Sequence, residues 1–510
     1  MNTLKRMQLG APMRQTSLGI AVSLALASCA VGPNFKSPDA PAAAGSAYVP
    51  GTQVAQTDSA KGLAGDAQRF VSDRDVPADW WTLFRSPELD QLVRAALEHN
   101  PTMAGAQASL RQAEENYRAQ SGNLLYPSVN AQLGVERERQ SAVQSFTPSG
   151  IVFNAYSASV NVSYTLDVFG GVKRQLENAQ AAVEYQRYQL EATYLTLSTN
   201  VVLTAIREAS ARAQLKATND VLASQEKELS VIEKQFSVGA IPRTTLLTQK
   251  NQVAQTRATI PALDKALSQA QHQLSVYVGK LPSESGMPEF QLESLHLPDE
   301  LPLTLPSNLV RQRPDIRAAE AQLHEANAQV GVATANMYPQ ISLTGAYGFQ
   351  ALHPNDLFSS NSGYWSIAGG LLQPLFNGGA LSAQRRASLA ALDAAGAQYK
   401  STVLVAFQNV ADTLRALETD ATALKAQVEV ESLAHESMDL SQQQYKFGGV
   451  SYLVLLDAER NYQQAHVALV QAQSARYSDT AALFQALGGG WWNRDKTAVA
   501  QATSAAAPAK

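Results

Sequence analysis

Residues 156–171 read Tyr156-Ser-Ala-Ser-Val160-Asn-Val-Ser-Tyr164-Thr-Leu-Asp-Val168-Phe-Gly-Gly171, and the period of this stretch decides the fold. Tyr156, Ala158, Val160, Val162, Tyr164, Leu166 and Val168 alternate with Ser157, Ser159, Asn161, Ser163, Thr165 and Asp167. Period two over that length predicts a β-strand with one apolar and one polar face. Strands of soluble domains average about five or six residues, whereas a tilted membrane-spanning strand needs about 9–11. Past Gly171 the period changes. Leu190, Tyr194, Leu197, Val201 and Thr204 follow a heptad spacing, and the register returns at Leu215, Leu222, Leu229, Ile232 and Phe236. No proline interrupts Gly171 to Phe236, so one helix of about 95 Å is allowed at about 1.5 Å per residue.

The first 28 residues read as a signal peptide. Lys5, Arg6 and Arg14 precede an apolar run, Leu18 to Ala27, that is too short to span a bilayer. Leu26-Ala-Ser-Cys29 resembles a bacterial lipobox. Cys29 is the only cysteine and can form no internal disulfide, so it is expected to become the lipidated N-terminus. No later segment carries 18 consecutive apolar residues, which excludes a transmembrane helix. A formal net charge of −4 without a basic cluster excludes nucleic acid as a partner.

Residues 29–85 are expected to form a lipidated tether, rich in Pro, Ala, Gly and Ser until Trp80-Trp81-Thr-Leu-Phe84. Ser86-Pro87-Glu88 starts a helix, and a second helix ends near Tyr126-Pro127. Val129, Ala131, Leu133 and Val135 then alternate with polar or small residues, predicting a β-hairpin over about 128–168 with a loop near 137–154. Long helices are expected over about 171–236 and 243–278, closing a first repeat at 86–300.

The same order recurs about 209 residues later. Gln235-Phe-Ser-Val-Gly239, Leu246-Leu247 and Gln255 align without gaps on Gln444-Tyr-Lys-Phe-Gly448, Leu455-Leu456 and Gln464. With small shifts, Tyr126-Pro127 matches Tyr338-Pro339 and Phe169-Gly-Gly171 matches Phe376-Asn-Gly-Gly379. A second repeat at 301–490 therefore carries a hairpin at about 340–376 and long helices at about 379–446 and 452–487, before a tail at 491–510. Val403, Phe407, Val410, Leu414, Leu417, Ala421, Leu424 and Val428 hold its heptad. The chain reads as a tandem duplication.

Four membrane strands cannot close a barrel, and an open sheet edge in lipid leaves backbone groups unpaired at several kcal/mol each. Other copies of the chain must complete the strands. The expectation is an α+β membrane protein, an oligomeric outer-membrane pore above a helical barrel. Strand counting leaves two chains and three chains equally open.

Leu305-Pro-Ser-Asn-Leu-Val-Arg-Gln-Arg-Pro-Asp-Ile-Arg-Ala-Ala-Glu320 and Ala326-Asn-Ala-Gln-Val-Gly-Val-Ala-Thr-Ala-Asn-Met-Tyr-Pro-Gln-Ile-Ser-Leu-Thr-Gly345 resemble signatures of the TolC-like outer-membrane factors, in their lipoprotein (NodT-type) efflux branch. Cys29-Ala-Val-Gly-Pro-Asn-Phe35, Trp80-Trp81, Asp167-Val-Phe-Gly170 and Ala486-Leu-Gly-Gly-Gly-Trp491 also look like that branch. The resemblance implies a homotrimer whose four strands per chain complete a twelve-stranded β-barrel, continued by a periplasmic α-helical barrel. It implies a cell outer membrane, lipid-anchored location. It also implies a passive exit duct for small, drug-like molecules, with a periplasmic adaptor (membrane fusion) protein and an inner-membrane transporter of the RND type as partners. A type I protein-secretion channel shares the architecture. A non-conducting coiled-coil lipoprotein would have no need of the paired strands.

Seven histidines show no metal-ligand spacing, and no nucleophile elbow or phosphate loop occurs. An enzyme, a metal site and a cofactor are not expected. Arg311, Arg313, Asp315, Arg317 and Glu320 read as structural, Asp315 suiting a helix start and the arginines able to bridge chains. Gly239, Gly448, Gly449 and Ser451 lie where long helices must reverse, and glycine there supplies positive φ. The resemblance makes these turns the adaptor-docking tips. Leu453, Asp457 and Arg460 share a helix face. By the same resemblance they form the periplasmic gate, with Asp457 repeated around the axis. At the repeat offset Thr248 and Asn251 replace Asp457 and Arg460, so only the second repeat carries the charges.

Overall fold

A computed structural model describes residues 30–39, 48–49, 54–72, 74–141, 143, 149–284, 286–303 and 306–494. Cys29, the signal peptide and the end of the tail lie outside them. The strands are β1 (Arg69–Ser72), β2 (Ser128–Gln140), β3 (Ile151–Leu166), β4 (Glu300–Leu303), β5 (Gln340–Ala351) and β6 (Gly363–Leu372). The helices are α1 (Pro87–His99), α2 (Pro101–Leu125), α3 (Gly171–Ser237), α4 (Arg243–Tyr277), α5 (Pro306–Gln312), α6 (Pro314–Ala335), α7 (Ala380–Lys446) and α8 (Tyr452–Ala486). From α2 onward the order helix, hairpin, 67-residue helix, 35-residue helix occurs twice. None of these helices is long and apolar enough to cross a membrane.

The chain divides into two compact units that cut across the repeats. One takes the described residues up to Ser37, with Leu110–Gln186 and Ala319–Tyr399; the other takes Pro38–Ser109, Arg187–Ala318 and the described residues from Lys400 onward. The 86–300 and 301–490 repeats are thus not the compact bodies. Each unit takes pieces of both, because strands pair with strands and heptad helices with heptad helices.

The first unit is built on an antiparallel sheet in the order β2-β3-β5-β6. β2 and β3 pair as far as Gln140 and Ile151, so both strands run into the stretch 137–154 expected to be loop. Below the sheet, Asp167 caps α3, its carboxylate accepting from the backbone N–H groups of Val172 (3.0 Å) and Lys173 (2.9 Å). The alternation predicts Asp167 on the polar strand face. It lies past the last strand residue instead, where the orphan amides and positive dipole of the helix start hold it.

Residues 30–37 of the expected tether are bound into this unit. Val31 N–H donates to the Phe169 carbonyl (3.0 Å), and Arg174 donates to Asn34 Oδ1 (2.7 Å) and Glu177 Oε2 (2.7 Å). Phe35 stacks on His324 with centroids 4.3 Å apart, and His324 meets Glu177 at 2.9 Å. A side chain at Gly32 would come within 2.6 Å of the Gly331 backbone, so the strap passes there only as glycine.

The second unit contains the main apolar core. Ser86 caps α1 by accepting from Leu89 N–H (3.3 Å), with Pro87 at the first helical position. Ahead of it the turn Trp80–Phe84 buries Trp80, Trp81 and Phe84, with Trp80 stacked on Phe484 (5.3 Å). Heptad positions Val201, Val410, Leu414, Leu417 and Leu424 belong to the same core. β1 and β4 pair in parallel. Beside them Arg476 is buried, donating to the carbonyls of Ala64 (2.7 Å) and Asp66 (3.2 Å) and to Gln68 Oε1 (3.1 Å). The tether is therefore partly core. Its few apolar residues carry no period because side chain to backbone bonds hold it.

Candidate functional site

The sheet sorts its residues by parity across all four strands. Val129 opposes Val162, which opposes Gly345, which opposes Ile367; Ala131, Val160, Tyr347 and Trp365 form another such row. On the other face Asn130, Asn161, Ala346 and Ser366 align, as do Ser128, Ser163, Thr344 and Ala368. One face is thus apolar and the other polar or small. On the single chain the apolar face is bare: Leu133 and Ile367 are each 82% exposed. The outer edges of β2 and β6 have no strand partner among the described residues.

The two tips share one backbone solution. After α3, Gly239 (φ +77) donates to the Phe236 carbonyl (3.0 Å) and Ala240 to that of Gln235 (2.9 Å). After α7, Gly448 (φ +73) donates to Tyr445 (3.0 Å) and Gly449 to Gln444 (2.8 Å). Both are Schellman caps, which satisfy orphan carbonyls and need positive φ at one residue. A Cβ at Gly239 or Gly448 would meet nothing within 4 Å, so conformation and not crowding selects glycine. Pro242 (φ −74, ψ 155) and Ser451 (φ −73, ψ 154) then start α4 and α8 in the same conformation, neither lending a side-chain cap. Proline's fixed φ fits that position.

Behind the tips, Ile232, Tyr452, Leu455 and Leu456 form a small core with Ile241, Leu246 and Tyr445 against it. The Tyr452 hydroxyl donates to Gln249 Oε1. Glu228 of α3 and Glu459 of α8 share a hydrogen bond here. Burial and the proximity of Glu228 push the Glu459 carboxyl up to about 8, and burial raises Glu228 as well. Sequence reading missed this pair. Its signal was a glutamate on each of two long helices close to the seam, Glu228 adjoining the heptad residue Leu229.

Leu453, Asp457 and Arg460 lie together on an exposed face of α8, with Leu453 66% exposed. Arg460 Nη2 is 3.9 Å from Asp457 Oδ1 with both side chains more than half exposed, a pair worth a few tenths of a kcal/mol at most. At the corresponding place on α4, Thr248 turns its hydroxyl back to the Thr244 carbonyl (2.9 Å). Arg313 binds within the chain, to Asp315 (2.7 Å) and the Ala486 carbonyl (3.0 Å). Arg317 reaches the Tyr188 hydroxyl (2.8 Å). No cluster among the described residues could hold a metal ion.

A sequence model of one family, described as outer membrane efflux protein, matches the chain at residues 92–280 and 305–489. The chain belongs to the outer membrane efflux protein family. It is similar to the toluene efflux pump outer membrane protein TtgC of Pseudomonas putida, 30% identical over 96% of this chain and 99% of that protein. It is also similar to the outer membrane protein OprJ of Pseudomonas aeruginosa, 29% identical over 94% and 97% of the two chains. Among solved structures, the outer-membrane channel OprN has a TM-score of 0.80 at 28% identity, covering 91% of this chain and 100% of that one. The MtrE channel of Neisseria gonorrhoeae, in its open state, has a TM-score of 0.77 at 27% identity, covering 91% and 99%. This outer membrane efflux protein is therefore an outer-membrane component of an efflux pump, of a channel family and not an enzyme family.

Proposed function

We propose that three copies of this chain form a passive exit duct for small organic molecules. Their sheets join edge to edge as a twelve-stranded barrel, and the long helices continue it as a periplasmic tube. The observation that carries the reading is the sheet itself: four strands of membrane length, one continuous apolar face, and two outer edges without a partner among the described residues. A closed barrel is the form in which such a sheet satisfies its backbone in lipid. The repeated element order and the two separate family matches support an internal duplication. In this reading Cys29 carries lipid beside the barrel. Gly239, Gly448, Gly449 and Ser451 meet the periplasmic adaptor of a tripartite pump whose inner-membrane transporter is of the RND type. Leu453, Asp457 and Arg460 narrow the periplasmic end. The names of the relatives, which include toluene and antibiotic efflux pumps, support small, largely apolar cargo. Single-channel recording in planar bilayers tests the duct. Discrete conductance steps are expected, and silence at every voltage and salt concentration would end the proposal.

A further inference from the structure

Above its apolar residues β2 continues as Val135-Glu-Arg-Glu-Arg139. The ladder register separates these charges by sign. Arg137 opposes Asn154 and Arg139 opposes Val152, on the face that carries Val129, Leu133 and Val135; Glu136 opposes Ala155 and Glu138 opposes Phe153, on the polar face. Neither arginine is opposed by a carboxylate on β3, and both are exposed. A cation on the lipid face costs about 2–4 kcal/mol at mid-bilayer but about 0–1 near an interface, so height decides what this pair can do. From Val129 to Arg139 is ten residues, about 34 Å along a strand at about 3.4 Å per residue. At a tilt of about 35–45° that is a rise of about 24–28 Å, the height of the apolar band of an outer-membrane barrel. Tyr156, opposite Val135, supplies an aromatic side chain at the level just below, where rings collect at a membrane–water boundary. β2 rises away from α2 and toward its connection with β3, so this boundary is the one farther from the α2 end of the strand.

We propose that Arg137 and Arg139 form a site for the phosphates of lipid A, the phosphorylated glycolipid of the outer leaflet. The proposal rests on the barrel reading. Two guanidinium groups two residues apart on one strand face stand about 7 Å apart along it, and each presents a planar fork that fits a phosphate. Their long stems lie along the apolar face while the charged ends reach the headgroup level. The two glutamates, turned to the opposite face, leave the lipid side uniformly positive.

The test uses native mass spectrometry of the full-length protein reconstituted with a mixture of diphosphoryl lipid A and phosphatidylglycerol. The parent should retain lipid A in preference. Arg137→Gln with Arg139→Gln should lower that retention about thirtyfold, the effect expected of two cations at an anionic lipid surface. Glu136→Gln with Glu138→Gln should leave it unchanged. Equal retention of lipid A by the parent and the double arginine variant would overturn the site, as would equal retention of the two lipids by the parent. Insertion is scored separately by heat-modifiable migration of the same samples. A parent that fails to insert defeats the barrel reading, whereas inserted protein without selective lipid A retention defeats only this site.

Discussion

Val162 and Ser163 are neighbours in β3 and face opposite ways, one in the row with Val129 and Ile367, the other with Thr344 and Ala368. On the barrel reading an arginine at Val162 would face lipid, where a cation costs about 0–1 kcal/mol near a boundary and up to about 2–4 toward mid-bilayer, whereas at Ser163 it would face the lumen and cost far less. Assembly in outer-membrane fractions should therefore fall sharply for Val162→Arg and little for Ser163→Arg. Equal losses would mean that the register is wrong, and a larger loss for Ser163→Arg that the faces are inverted. Glu459 makes a second prediction at this scale. Its folded-state value is raised from 4.5 to about 8, so the folded tip binds a proton that the unfolded chain has already released. Stability is thus undiminished below about pH 4.5 and is lost as pH climbs toward 8. Tyr445 and Tyr452 are the other titratable groups against the pair, and both stay neutral over this window. The protection of the first-turn amides of α8, taken relative to the pH-dependent exchange rate of an unstructured peptide, should fall as pH rises from 5 to 8. Glu459→Gln should flatten that dependence.

Among the elements, α8 carries two different faces. Tyr452, Leu455 and Leu456 are buried toward the other tip helices, while Leu453, Asp457 and Arg460 are open. Three copies of Asp457 around an axis would attract cations within about 10 Å at about 0.1 M salt. Asp457→Ala should lower cation preference measured from reversal potentials, and Arg460→Ala should raise basal conductance by releasing the tip. Unchanged selectivity and conductance in both would move the gate elsewhere. The heptads were legible because they reflect burial on one helix face, Val410, Leu417 and Leu424 being wholly buried, and the strand alternation because it sorts apolar from polar residues onto the two faces of the sheet. The tether was not legible. Arg476 holds it through carbonyls of Ala64 and Asp66, and bonds to backbone leave no pattern in side-chain type. Asp167 was misplaced for a similar reason, since a polar residue at a strand end can equally be a helix cap.

At the scale of the whole molecule, neither repeat closes on its own. The central seam of the sheet pairs Tyr156 with Ala351 and Leu166 with Ile341, and Gln68 reaches Thr480 across 412 positions. Residues 1–300 and 301–510 expressed as separate chains should each remain unfolded in circular dichroism and protease digestion, whereas the intact chain resists protease. A folded isolated half would contradict the interleaved arrangement. The seam also sets a timetable. The chain emerges in the periplasm N-terminus first, and the β3 edge is complete long before β5 exists to cover it. For the interval needed to deliver the rest of the first repeat and the start of the second, an apolar strand with an open edge waits in water, the condition under which chains pair with the wrong neighbour. Loops closed over such separations form slowly. An escort that shields the β3 edge until β5 arrives is therefore expected to raise the yield of folded chain without changing its final stability.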